Sequence, residues 1–388
     1  MTEIAHGTVA PLPGEAILSR WWRTVDGVTL GCVAALFAIG ILLGLAASVP
    51  LAERNGLSPF HYVERQVFFG ALALATMLVA SMLDPRTLRR LSAIGFGLAF
   101  VALALLPFLG TDFGKGATRW YSMGFASLQP SEFLKPVFAV TIAWLMAAGA
   151  DAGGPPGKTL SAALLVVILG LLAMQPDFGQ AMLMVTAWAA VYFVAGAPIA
   201  VLTGVVGAVG MAGLLAYHSS EHFARRIDGF LNPEIDPRTQ LGYAIDAIRE
   251  GGLLGSGVGE GQVKWTLPDA HTDFIIAVAA EEYGLVMVLC IVALFATITL
   301  RCLMRLTRER DLFARLAGTG LTVLFASQAF VNLGVAVKLL PAKGMTLPFV
   351  SYGGSSLIAT GATVGMLLAL TRSRPQNALG DHLVSARR

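Results

Sequence analysis

The stretch "LPDAHTDFIIAVAAEEYGLVMVLCIVALFATITL", residues 267–300, carries acid up to and into an apolar run. Asp269 and Asp273 precede the run, Glu281 and Glu282 lie inside it, and from Leu285 no charge appears before Arg301. About 20 apolar residues cross a bilayer as a helix. Working outward, comparable runs recur along the chain, and ten spans are expected: about 28–50, 66–83, 91–110, 131–149, 159–175, 178–197, 198–217, 273–300, 312–338 and 347–371. Only Gly196 and Pro198 separate the sixth from the seventh. The first follows a polar tail with Arg20 and Arg23 and reads as a signal anchor.

Composition agrees with membrane. Of the 388 residues, 56% are hydrophobic and 13% charged, and the mean hydropathy is +0.71, whereas a soluble domain carries about a quarter charged residues. A net charge of +3 gives no argument for a nucleic-acid partner. Cys32, Cys290 and Cys302 fall in or beside apolar runs, which excludes a disulfide framework. The expected fold is an all-α polytopic membrane protein of about ten transmembrane helices, with one long loop, 218–272, between helices 7 and 8. One transmembrane domain, 28–372, lies between tails 1–27 and 373–388.

Basic residues in short loops mark the cytoplasmic side. Arg86, Arg89 and Arg90, then Arg301, Arg305, Arg308 and Arg310, then Arg372 and Arg374 share a side with both termini. The 218–272 loop therefore belongs outside. Cations on that outer side, among them Lys115, Arg119, Lys135, Lys264, Lys338 and Lys343, work against the bias. They are either tolerated in long loops or held for an anionic ligand.

Two outer segments concentrate the chemistry. In "GTDFGKGATRWYSMGFASLQPSEFLK", 110–135, Lys115 and Arg119 supply donors and Pro130-Ser131-Glu132 starts a helix. Lys135 then lies one turn inside the fourth span, where it snorkels or serves a cavity. The second segment is the long loop. Its "GGLLGSGVGEG", 251–261, lacks the Gly-Lys-Ser/Thr ending of a phosphate loop. His218 and His222 lack a third ligand, so no metal site is assigned. Asp273, at a loop-to-helix junction, caps that helix or faces its positive end. Glu281 lies about 80° around and about 12 Å further along a continuous helix, so the two can border one polar cavity. Glu282 points nearly opposite Asp273. Asp269 sits on a loop and suits fixed geometry less well. Asp177, in "MQPDFGQ", adds a carboxylate at the outer boundary.

Four motifs, "KGATRWYSMGFASLQPSEFLK" (115–135), "QPDFG" (175–179), "LPDAHTDF" with "EEYG" (267–284) and "LPAKGMTLPFVSYGGSS" (340–356), resemble the SEDS family of peptidoglycan glycosyltransferases, RodA and FtsW. The N-terminal "SRWWRTVDGVTL" (19–30) is similar to the FtsW branch of alphaproteobacterial type. The resemblance implies a ten-helix enzyme of the bacterial inner membrane that polymerises lipid II on its outer face, at the division septum. It implies Asp273 as the essential residue and Arg119 and Lys135 as cavity cations. Lys115, Asp177, Glu281, Ser355 and Ser356 complete the expected substrate-binding set. It further implies a class B penicillin-binding protein and other divisome proteins as partners. No resident cofactor is required, and a divalent cation, Mg or Mn, bridging the diphosphate stays open. Some members carry an acid eight residues before the essential aspartate, where this chain has Trp265. A lipid II flippase would need a similar cationic cavity, and a RodA-type elongation polymerase would share the motifs.

Overall fold

The computed structural model describes residues 17–111, 118–196, 198–232, 239–267, 269–341 and 344–372. A short amphipathic helix α1 (Ile17–Thr24) leads into α2 (Gly27–Arg54), α3 (His61–Met82) and α4 (Pro85–Leu109). A two-residue hairpin, β1 (Tyr121–Ser122) and β2 (Ser127–Leu128), pairs Tyr121 with Leu128. Then come α5 (Pro130–Ala148), α6 (Gly157–Met174), α7 (Phe178–Val194) and α8 (Ile199–Ser219). Two short helices, α9 (Glu221–Leu231) and α10 (Gln240–Gly251), and a 3₁₀ turn (Val263–Trp265) occupy the long loop. The chain ends in α11 (Ile275–Leu306), α12 (Leu312–Ala336) and α13 (Gly354–Thr371).

Each of the ten expected spans overlies one helix. Among the described residues nine helices are long and apolar enough to cross a membrane, and α7, with 17 residues, is the tenth. Two begin earlier than hydropathy suggests, because charged first turns are helical all the same. In α4 the carboxylate of Asp84 accepts from the N–H groups of Arg86 (3.0 Å) and Thr87 (3.1 Å), and Pro85 fills the first helical position. The last span starts later than expected, at Gly354, because residues 344–353 are not helical and are hydrogen-bonded instead to α12 and to the turn before α11.

Burial sorts the helices into an inner and an outer layer. In α5, α12 and α13 most of the span is covered by protein (67%, 67% and 78%), whereas in α8 none is. α13 packs on α3, and α12 lies against α5, α7, α11 and α13. Outward-facing Leu, Val and Phe of the outer layer suit a lipid solvent, where apolar exposure costs nothing.

α11 is not one continuous rod. Gly284 has φ 74° and ψ −173°, which breaks the helix. The part beyond the break, Leu285–Leu306, is about 33 Å long and spans by itself. The expected span 273–300 is thereby displaced towards its C-terminal end. The long loop closes the break: Leu285 N–H donates to Gly252 O (3.0 Å), and Ser256 N–H to Glu281 O (2.8 Å). The run 251–261 therefore supplies backbone partners to a broken membrane helix, not a phosphate cradle.

At the opposite end of the bundle Asp26 gathers three helices. Its carboxylate accepts from Arg301 (2.7 and 3.0 Å) and Arg305 (3.0 Å), and Arg305 also donates to Thr371 O (3.1 Å).

Candidate active site

The helix ends at the hairpin face surround a cavity of about 600 Å³. Its wall includes Arg65, Arg119, Gln129, Glu132, Asp177, Gln180, Asp269, Asp273, residues 344–346 and residues 352–356. Residues more than 290 positions apart in the chain thus meet at one opening.

Asp273 lies in the turn before α11, one residue ahead of its N-cap Phe274. The N–H groups of Thr272, Asp273 and Phe274 all point to Asp269 O (3.1, 3.1 and 3.4 Å). The carboxylate abuts Gly344, where an added Cβ would come within 2.9 Å of Asp273 Oδ2. Only a residue without a side chain lets this segment approach so closely. Asp269 lines the same cavity, so its loop position does not remove it from the site.

Arg119 is set by the 175–176 turn: Nε donates to Gln175 O (3.1 Å) and Nη2 to Pro176 O (2.7 Å). These bonds occupy two of the five donors of a guanidinium. Arg65 of α3 also lines the cavity and donates to Phe125 O in the hairpin turn. Asp177 caps α7 through Gln180 N–H (3.4 Å) and accepts from Gln129 (3.3 Å). Burial pushes its carboxyl above the usual range, although Arg119 nearby works in the other direction. Ser355 and Ser356 line the wall, and Ser356 Oγ shares a 2.6 Å hydrogen bond with Thr346 Oγ1.

Two expected members are elsewhere. Lys135 is only 4% exposed and does not line the cavity. It pairs with Glu132 (2.9 Å) and donates to Gln328 Oε1 (2.8 Å) on α12. Glu132, which lines the cavity, accepts in turn from Gln180 Nε2 (2.5 Å), so the lysine is linked to the cavity wall only through Glu132. It does not snorkel, because its partners are inside the bundle. Glu281 is fully buried, and its carboxylate accepts from the N–H groups of Val263 (2.7 Å) and Lys264 (3.2 Å). It faces the long loop and not the cavity, contrary to the shared-cavity expectation. Glu282 pairs with Lys264 Nζ at 2.5 Å. Lys115 and Lys343 lie outside the described residues. Arg65, Gln129, Glu132 and Gln180 were not expected at the site. Gln129, Glu132 and Gln180 lie in or beside the quoted motifs, which marked the stretches without assigning these side chains, whereas Arg65 carried no signal beyond a charge in the first turns of an apolar helix. Among the described residues no three His, Cys, Asp or Glu side chains cluster to hold a metal.

The model of the FtsW/RodA/SpoVE cell cycle proteins matches residues 27–376. This chain belongs to that family. A relative described as a probable peptidoglycan glycosyltransferase FtsW, from Caulobacter vibrioides, is 43% identical over 360 residues, covering 92% of each chain. One of the same description from Halorhodospira halophila is 36% identical and covers 95% of each. Among solved structures, a chain of a peptidoglycan synthase complex that coordinates polymerization and crosslinking matches with TM-score 0.74 and 29% identity, over 91% of this chain and 99% of that one. The rod shape determining protein RodA of Thermus thermophilus matches with TM-score 0.64 and 28% identity, over 90% and 97%. The all-α polytopic fold and the FtsW-like membership of the SEDS family rest on these likenesses together with the helix order.

Proposed function

We propose that this peptidoglycan glycosyltransferase polymerises lipid II at the outer face of the bacterial inner membrane, with Asp273 as its general base. The observation that carries the reading is the carboxylate of Asp273 in a polar cavity at the helix ends that Arg119 and Arg65 also line. Lipid II presents a sugar α-linked to undecaprenyl diphosphate, and a β-1,4 product requires inversion at one carbon. Asp273 takes the proton of the attacking hydroxyl as the new C–O bond forms. The old bond breaks, and the diphosphate leaves with the electron pair. Arg119 and Arg65 offer forked donors to that growing charge. Asp177, Ser355 and Ser356 contact the sugar, and the lipid tail runs along apolar helix faces.

Where a divalent cation accompanies the diphosphate, the phosphate oxygens and one cavity carboxylate would hold it. Septal synthesis beside a class B penicillin-binding protein and other divisome proteins fits the FtsW names of the relatives and the synthase complex among the structural matches. Both tails, including the residues before 28 and after 372, lie in the cytoplasm, and 28–372 forms one domain.

The test is a glycan-length gel with purified protein and lipid II. Asp273→Asn keeps the volume of the side chain but cannot accept a proton at neutral pH. It folds, reaches the membrane and makes no glycan. A folded Asp273→Asn protein that makes long strands removes the base assignment, and lipid II transport without strand growth favours a flippase.

A further inference from the structure

The turn that carries Asp273 is held by two side chains that do not line the cavity and by one backbone N–H. Asn332, buried on α12, donates from Nδ2 to the main-chain oxygen of Asp273 (3.0 Å) and to that of Met345 (2.5 Å). Ser351, also buried, donates from Oγ to Thr272 O (2.5 Å) and accepts from Leu347 N–H (2.9 Å). Tyr352 N–H donates to His271 O (3.0 Å). Three successive carbonyls, those of His271, Thr272 and Asp273, are thus each taken by a group between residues 332 and 352. The turn's N–H groups are meanwhile gathered on Asp269 O. Neither Asn332 nor Ser351 lines the cavity.

The geometry does more than satisfy backbone oxygens. Met345, the second acceptor of Asn332, directly follows Gly344, the residue against which the Asp273 carboxylate rests. One amide therefore fixes both sides of that contact: the backbone of Asp273 and the segment its carboxylate faces. Asn332 Oδ1 has no hydrogen-bond partner among the described residues. The residue is used for its two donors, and an orphaned acceptor in a buried position is a cost that apolar packing would avoid. Ser351 repeats the device one residue earlier in the turn, tying Thr272 to the bend at Leu347.

We infer that Asn332 and Ser351 are positioning residues for the base. This rests on the reading of Asp273 as that base. A proton acceptor must be held within about 0.5 Å of its productive place, and a displacement of about 1 Å costs on the order of a hundredfold in rate. Neither residue lines the cavity in which substrate would sit, so the effect falls on turnover rather than on affinity.

The experiment measures initial rates of lipid II polymerisation against substrate concentration for the full-length protein and for Ser351→Ala, Ser351→Thr, Asn332→Leu and Asp273→Asn. Folded fraction and melting temperature are recorded for each. In folded Ser351→Ala and Asn332→Leu, kcat falls about tenfold or more while KM stays within about twofold. Ser351→Thr, which keeps the hydroxyl, is closer to wild type than Ser351→Ala. Should Asn332→Leu not fold, the Ser351 pair decides alone. Wild-type kcat in folded Ser351→Ala and Asn332→Leu, beside an inactive Asp273→Asn, overturns the positioning role and leaves only a packing role. Activity in Asp273→Asn instead overturns the base assignment itself.

Discussion

Arg119 and Lys135 bear the same charge at the same end of the bundle, yet their surroundings assign them different work. Arg119 borders the cavity with donors to spare. Its loss to Ala removes charge-assisted contacts worth about 1.5–3 kcal/mol, so polymerisation falls about tenfold or more with little change in melting temperature. Lys135 compensates a buried Glu132. Lys135→Met leaves that carboxylate unpaired at a cost of about 3–5 kcal/mol, and the melting temperature drops. Adding Glu132→Gln removes the stranded charge and recovers much of the loss. An unchanged melting temperature in Lys135→Met would show that the pair is not a structural one. Thermal unfolding in detergent together with rate measurements separates the two cations. Arg119 was legible in the sequence because its cue is local, a motif in a loop. The partner of Lys135, Gln328, lies 193 residues further on, and no periodicity links the two. The same distance in sequence hid Asn332, which looks like one more polar residue on an apolar helix.

At the scale of elements, the loop packed against α11 explains why Glu281 does not share the cavity of Asp273, while Glu282 faces away from that cavity as the helical spacing implies. Hydropathy treats 273–300 as one apolar run, because a single Gly284 scarcely alters an average over a window. The break at Gly284 lies beyond Glu281; what turns Glu281 from the cavity is the 3₁₀ turn of the loop, whose N–H groups its carboxylate accepts. The place of a long loop between the seventh and eighth spans was legible, but the spanning part of α11 starts only at Leu285, beyond the expected 272, and the contacts of the loop with α11 came from tertiary structure alone. Lys264 and Glu282 are both almost fully buried. Truncating one leaves the other charge without compensation in a low-dielectric interior, whereas truncating both removes the mismatch. In a double-mutant cycle, Lys264→Met and Glu282→Met each destabilise by about 3–5 kcal/mol and the double variant by clearly less than their sum. Additive losses would mean that the two side chains do not interact.

Across the whole molecule, ten helices and their order were readable because each span must satisfy its own backbone in lipid, which makes the signal local. What ties the spans together was not readable. Asp26 illustrates this: burial raises its carboxyl, but hydrogen bonds from Arg301 and Thr29 and the charge of Arg305 outweigh that and hold it at about 2. A folded value below the usual 3.8 means that its stabilisation is full above that pH and fades as pH falls towards 2. Asp26→Asn therefore lowers the melting temperature at pH 7, and the difference from wild type shrinks below about pH 4; a constant difference would point to packing. This network joins the starts of α2 and the ends of α11 and α13, the face that also carries Arg86, Arg89, Arg90, Arg308 and Arg310. Arginine density in short loops predicts that face to be cytoplasmic and the cavity face to be outside, where lipid-linked sugar and a crosslinking partner would be met. Orientation is open to direct measurement. In a background with Cys32, Cys290 and Cys302 replaced by Ala, a single cysteine is placed at Ser219, at the exposed end of α8, or at Thr307, exposed just after α11. A membrane-impermeant thiol reagent added to spheroplasts labels Ser219→Cys at once and Thr307→Cys only after permeabilisation. Labelling in the reverse order would place the cavity in the cytoplasm, away from the compartment in which glycan strands are assembled, and would overturn the orientation together with the site of polymerisation proposed for it.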